Sequence, residues 1–171
     1  MQAIPLVATT RGYPDSGNVI ENVPAGSVAV VDTQGRLLWS AGDPNYPPFP
    51  RSALKPFQAL PFILADGPAR FGLTRDEVAL LCASHSGEDI HLQGVSSILN
   101  KIGLDPAHLE CGCAVPLHYE FVGQPAPQDR TWTPLHHNCS GKHSGFLAWC
   151  RLHGKPTGGY VERGHPLQQA I

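Results

Sequence analysis

Charge is scarce in this chain. Asp, Glu, Lys and Arg make up 15% of its 171 residues, and the net charge is only −2. The 12 basic residues are scattered, so the electrostatic footprint of a nucleic-acid-binding domain is absent. No apolar run approaches the roughly 20 residues that cross a bilayer, so no membrane association is expected. Residues 1–13 lack a basic stretch followed by a long apolar one. No secretory signal is therefore expected, and the expected compartment is the cytoplasm. Cysteine is odd in number, at five, which argues against a disulfide framework in a chain without such a signal. Most of these thiols are expected to be buried as small hydrophobes. Cys111-Gly112-Cys113 has one intervening residue and matches neither a redox Cys-x-x-Cys nor a common zinc spacing.

What is present is globular in composition: 42% of residues are hydrophobic. The 18 glycines and 17 prolines imply many turns. The length suits one domain with a sizeable core.

The first forty residues have strand composition, over 6–10, 19–23, 27–32 and 36–40, with Thr33-Gln34-Gly35 as a hairpin turn between the last two. A stiff proline-rich loop follows at 43–50. Helices are predicted over 52–64, 74–83, 88–102 and 140–152, with Thr74 and Glu77 forming a capping box. Asp105-Pro106 opens another short segment, and 116–134 reads as proline-rich loop with one short strand. Strands first and helices after predict an α+β (α/β layered) fold, not a doubly wound sheet. Residues 165–171 read as the opening turn of an amphipathic helix without a stop signal, so a fragment or a nicked chain is expected.

Three clusters carry chemistry. In Arg51-Ser52-Ala53-Leu54-Lys55-Pro56-Phe57-Gln58, a serine precedes a lysine by three residues. On a helix that spacing shares one face, with Cβ atoms roughly 5–6 Å apart. A serine needs a base to become a nucleophile, and a lysine serves where burial or a neighbouring cation disfavours its charged form. The pair proposes acyl transfer from an amide or ester; the plainer alternative is an exposed helix turn.

The second cluster is Cys82-Ala83-Ser84-His85-Ser86-Gly87-Glu88. It suits a loop gripping a polar substrate at a helix N-terminus. The plainer alternative is an N-cap turn in which Ser84 or Ser86 caps the next helix and Glu88 sits in its first turn. The third is His136-His137-Asn138-Cys139-Ser140-Gly141-Lys142-His143-Ser144-Gly145. Cys139 at a helix start favours thiolate, and the histidines allow a metal. Alternatively, Gly141, Ser144 and Gly145 are small so that the helix can approach a neighbour closely.

In this order the motifs resemble the asparaginase II family, the Rhizobium-type L-asparaginases. The resemblance rests on Arg51-Ser52-x-x-Lys55-Pro-x-Gln58-Ala59, Cys82-Ala-Ser84-His85-Ser86-Gly87-Glu88, Asn138-Cys139-Ser140-Gly141-Lys142-His143 and His165-Pro166-Leu167-Gln168. Cys111-Gly112 followed by Pro116 resembles the stretch before the third motif. The resemblance implies a serine β-lactamase and glutaminase-like fold, a mainly antiparallel sheet with a helical region. It implies hydrolysis of L-asparagine to L-aspartate and ammonia, in a homo-oligomer. By resemblance Ser52 and Lys55 form one Ser–Lys pair. Ser84 belongs to a second, whose lysine comes from a C-terminal half. Cys139 and Lys142 correspond to ligands of Zn2+, with a further cysteine from that half. Arg51, Ser86, Glu88 and His143 are the candidates for holding substrate; a guanidinium such as Arg51 can grip a carboxylate with two bonds. The expectation is that residues 1–171 are the N-terminal half of such a catalytic domain. Two other readings stand beside it. One is a β-lactamase-like acyl enzyme, which usually adds Ser-Asp-Asn and Lys-Thr-Gly, both absent here. The other is a zinc or amino-acid binding fragment without turnover.

Overall fold

A computed structural model describes residues 3–13 and 17–171. They divide into two compact units, Met1–Phe49 and Pro50–Ile171. The fold is α+β.

The first unit holds six strands among its described residues: β1 (Ile4–Pro5), β2 (Thr9–Tyr13), β3 (Gly17–Asn22), β4 (Ala25–Gly26), β5 (Val28–Val31) and β6 (Leu37–Ala41). They pair antiparallel as β1–β4, β2–β3 and β5–β6. The strand expected at 6–10 begins later, at Thr9, because Leu6 instead turns its N–H to the Pro24 carbonyl beside the β1–β4 pair. The hairpin at Thr33-Gln34-Gly35 is where the turn residues place it. The Asp32 carboxylate accepts the backbone N–H of Gln34 and of Arg36, each at 2.9 Å, and Gly35 takes φ +76°.

The second unit is helical: α1 (Lys55–Leu64), α2 (Gly67–Arg70), α3 (Arg75–Leu81), α4 (Asp89–Lys101), α5 (Leu117–Phe121), α6 (Ser140–Leu152) and α7 (Pro166–Ala170). No described helix is long and apolar enough to cross a membrane. The helix expected over 52–64 starts as a single 3-10 turn, Arg51–Leu54, and becomes α-helical at Lys55. The short strand expected within 116–134 is replaced by the one-turn helix α5. Asp105 caps the 3-10 turn Pro106–His108 through the Ala107 N–H.

Helix α6 is the centre of this unit and packs on α1, α3 and α4. From Phe146 to Cys150 every side chain is buried, and the surrounding core includes Phe62, Leu81, Val95, Ile98, Leu99 and Tyr160. A helix covered on all sides needs small residues where a neighbour comes close. A Cβ on Gly141 would lie 2.4 Å from the Leu80 carbonyl oxygen, and one on Gly145 3.1 Å from Leu81 Cδ2. The small residues of the third motif therefore do serve close approach. The Thr74–Glu77 capping box is formed, and Lys101 Nζ bonds the same Glu77 carboxylate at 2.6 Å. Burial alone would raise that carboxyl, but Lys101 and the Thr74 N–H hold it below the ordinary glutamate value.

Candidate active site

The path of the chain brings the first cluster under the second. Lys55 opens α1 and is only 3% exposed, so its ammonium must find partners inside the protein. It donates to the Ala83 carbonyl at 2.7 Å and to Ser84 Oγ at 2.6 Å. Ser84 Oγ in turn donates to Ser52 Oγ at 2.9 Å. Both serines are exposed above the buried lysine. The result is a continuous line, Lys55 to Ser84 to Ser52, along which a proton can pass.

This geometry excludes the capping reading of the second cluster. Neither Ser84 nor Ser86 caps α4; Glu88 takes the N-cap position without a side-chain bond. Ser84 faces the lysine instead. The loop is held there by His85, 4% exposed. Its Nδ1 accepts the Gly87 N–H at 3.2 Å, which puts the ring proton on Nε2, 2.9 Å from Ser140 Oγ. Ser140 Oγ passes its own proton to the Leu135 carbonyl at 2.9 Å. The His85 backbone N–H donates to the Asn138 carbonyl at 3.1 Å. One histidine thus ties the Ser84 loop to the start of α6. Burial, then the charges of His91, Lys55 and His137, lower its pKa to about 4, so it is neutral. Gly87 takes φ +80°, and a Cβ there would meet Pro116 Cβ at 2.8 Å.

A cavity of about 450 Å³ opens over this line, walled by Arg51, Ser52, Lys55, Gln58, Asn138, Cys139 and Lys142. Three of these are basic residues and none is an acid, so the cavity, with the Arg51 guanidinium on its wall, suits a carboxylate. Arg51 holds φ +46°, a left-handed backbone that only glycine adopts freely. The strain sits at the residue next to Ser52. Burial disfavours the charged form of Lys142 and lowers its pKa, with Lys55 adding to the effect and Cys139 and Cys111 opposing it.

Not every expected site residue joins this cavity. Ser86 Oγ donates to the Glu88 carboxylate, and Glu88 lines a separate cleft together with His118. His143, on α6, is turned into the core at 7% exposure, with Nδ1 2.8 Å from the Tyr160 hydroxyl. Burial, then Lys142, His137 and Lys55, lower its pKa to about 3. Conversely, Gln58 and Asn138 line the cavity, and His85 holds the loop, although none of them was a candidate. Gln58 had a legible signal, three residues beyond Lys55 on the same helical face. Tyr160 had none.

The five cysteines are free thiols; Cys150 is buried, Cys82, Cys111 and Cys139 are half-buried, and Cys113 is exposed. Cys139 stands at the N-cap position of α6 without a side-chain capping bond, and Lys142 follows three residues later, on the same face. Burial pushes the Cys111 thiol up to about 11, and it donates to the Pro134 carbonyl at 3.4 Å. Among the described residues no three His, Cys, Asp or Glu are grouped to hold a metal ion. Cys139 and Lys142 offer two of the four donors that a tetrahedral zinc takes.

Residues 8–171 match the model of the family described as L-asparaginase II. The chain belongs to that family. No curated protein matches it at a significant level. Family membership supports an amidohydrolase of the asparaginase type, and the buried lysine with its two exposed serines is the part of this L-asparaginase II chain best suited to that chemistry.

Proposed function

We propose that this protein hydrolyses the side-chain amide of L-asparagine to L-aspartate and ammonia by acyl transfer through Ser52, Ser84 and Lys55. The observation that carries the reading is the hydrogen-bonded line from buried Lys55 through Ser84 to Ser52, opening into a cavity lined by basic residues and no acid. The substrate carboxylate is held by the Arg51 guanidinium. Lys55 acts as the base, taking the proton of Ser84 directly, or that of Ser52 by way of Ser84. The alkoxide attacks the amide carbon, a C–O bond forms, and the C–N bond breaks as the Lys55 ammonium returns its proton to the leaving nitrogen. Water, deprotonated by Lys55, then attacks the ester and releases aspartate and the serine hydroxyl.

Zn2+ belongs to the same reading. Cys139 and Lys142 would hold it, Lys142 as the neutral amine that its burial favours, and the ion would supply a fixed positive charge for orienting substrate. The test is ammonia release by the full protein with L-asparagine and L-glutamine as separate substrates. Ammonia from L-asparagine at a higher kcat/KM than from L-glutamine supports the reading. No ammonia from either amide contradicts it.

A further inference from the structure

A second cleft, of about 470 Å³, lies on the other side of the Ser84 loop, among Glu88, Asp89, Tyr119, Arg130, Trp132 and His136. None of its residues touches the cavity over Ser52. We infer that this cleft is a binding site for a free α-amino acid with an apolar side chain. The inference does not depend on the proposed asparagine hydrolysis.

The decisive residue is His136. It is more than nine-tenths buried and lines the cleft, and its Nε2 has no hydrogen-bond partner. The Thr133 backbone N–H donates to its Nδ1 at 3.1 Å, with the Thr133 hydroxyl at 2.9 Å from the same atom. Nδ1 is therefore the acceptor nitrogen, and in the neutral ring Nε2 carries the proton. A buried donor without an acceptor is costly, and it calls for an oxygen from outside. Arg130 is exposed at the rim, its guanidinium 5.2 Å from the Trp132 ring centroid. Two donors from residues lining the same cleft, the Nε2–H and the guanidinium, match a carboxylate.

The opposite sign stands nearby. Glu88 and Asp89 begin α4 at the same cleft, and His136 feels Arg130 and Asp89 with opposing effect. A ligand carrying both an anion and a cation satisfies both ends. Trp132 lies between Tyr119 and His136, at 5.8 and 5.2 Å between ring centroids, and Ile90, Leu92 and Pro116 complete an apolar wall. That wall suits a hydrocarbon side chain. Glu88 also bonds Ser86 and faces His118 at 3.6 Å, and the His118 N–H donates to the Ser86 carbonyl at 2.8 Å. Occupancy of the cleft therefore bears on the loop that carries Ser84.

The experiment is a titration of the full protein with L-leucine, 4-methylpentanoate and isoamylamine, followed by NMR of the Trp132 indole N–H and the His136 ring nitrogens. Saturable shifts with L-leucine are expected. The two analogues, each lacking one charge, should bind about tenfold or more weakly, the scale of one lost charge-assisted bond. Arg130→Ala, at an exposed position that does not threaten folding, should weaken L-leucine by a similar factor, with Arg130→Lys intermediate. Three outcomes overturn the inference: no shift with L-leucine, equal binding of all three probes, or unchanged affinity in Arg130→Ala.

Discussion

Lys55 Nζ lies 2.6 Å from Ser84 Oγ, although 29 residues separate them in sequence. The serine three residues before the lysine is reached through this distant one, at 2.9 Å. One base thus stands behind two hydroxyls.

The first prediction follows from that arrangement. Lys55→Ala should lower kcat for ammonia release by roughly 10²–10⁴, the usual contribution of a positioned base. Ser52→Ala and Ser84→Ala should each be severe, and the double variant barely worse than the more damaged single one, because members of a nucleophile–base unit are non-additive. Steady-state kinetics on the four variants would remove the line from the mechanism if Lys55→Ala kept near-normal turnover.

Acid should destabilise the fold through two buried histidines. His85 and His143 have pKa values lowered to about 4 and about 3, against 6.5 for the free ring. Below pH 6.5 the unfolded chain binds protons that the folded one refuses. Stability from these rings is thus complete above about pH 6.5 and is lost as pH falls below it, by about 1.4 kcal/mol per pH unit for each ring, until the folded rings themselves take protons at about 4 for His85 and about 3 for His143. Urea unfolding midpoints should fall steadily from pH 7 to pH 5. The slope should flatten in His85→Asn. A midpoint that rises with acid over this range would contradict the assignment of neutral buried rings.

Much of this was legible in the sequence, and the part that was not has a physical cause. Helix α6 and its small residues follow from the motif that contains them, because close approach demands glycine at Gly141 whatever lies opposite. The hairpin at Gly35 follows from turn chemistry that is local. Ser84 was different. Both of its readings, cap and substrate loop, use the same residues, and only the return of the chain to Lys55 separates them. The fate of Glu88 and His143 was hidden for the same reason. Sequence proximity to a reactive residue does not say which way a side chain faces, and Glu88 turns to the second cleft while His143 turns to Tyr160.

Close approach at α6 can be measured by itself. Gly141→Ala should cost about 1–3 kcal/mol or more, since the added methyl meets a backbone oxygen at 2.4 Å that has little freedom to move. Gly164→Ala, where nothing lies within 4 Å, should change stability by no more than about 0.5 kcal/mol. Equal denaturant midpoints for the two variants would show that α3 and α6 are further apart than described.

Cys139→Ser tests the metal reading of the third motif. If Cys139 holds zinc, the variant should bind Zn2+ more weakly in a direct titration and show a KM for L-asparagine raised more than kcat is lowered. Loss of kcat with unchanged zinc affinity would place Cys139 among the reacting groups instead.

In the proposed reaction a serine, activated by Lys55, carries the acyl group. Rapid acid quenching of the full protein during turnover of L-asparagine, followed by peptide mass spectrometry, tests it directly. An aspartyl ester is expected on the peptide containing Ser52 or the one containing Ser84, absent from Lys55→Ala. Ammonia release with the adduct on Cys139, or with no adduct on any residue at a time resolution that captures the first turnover, would contradict it.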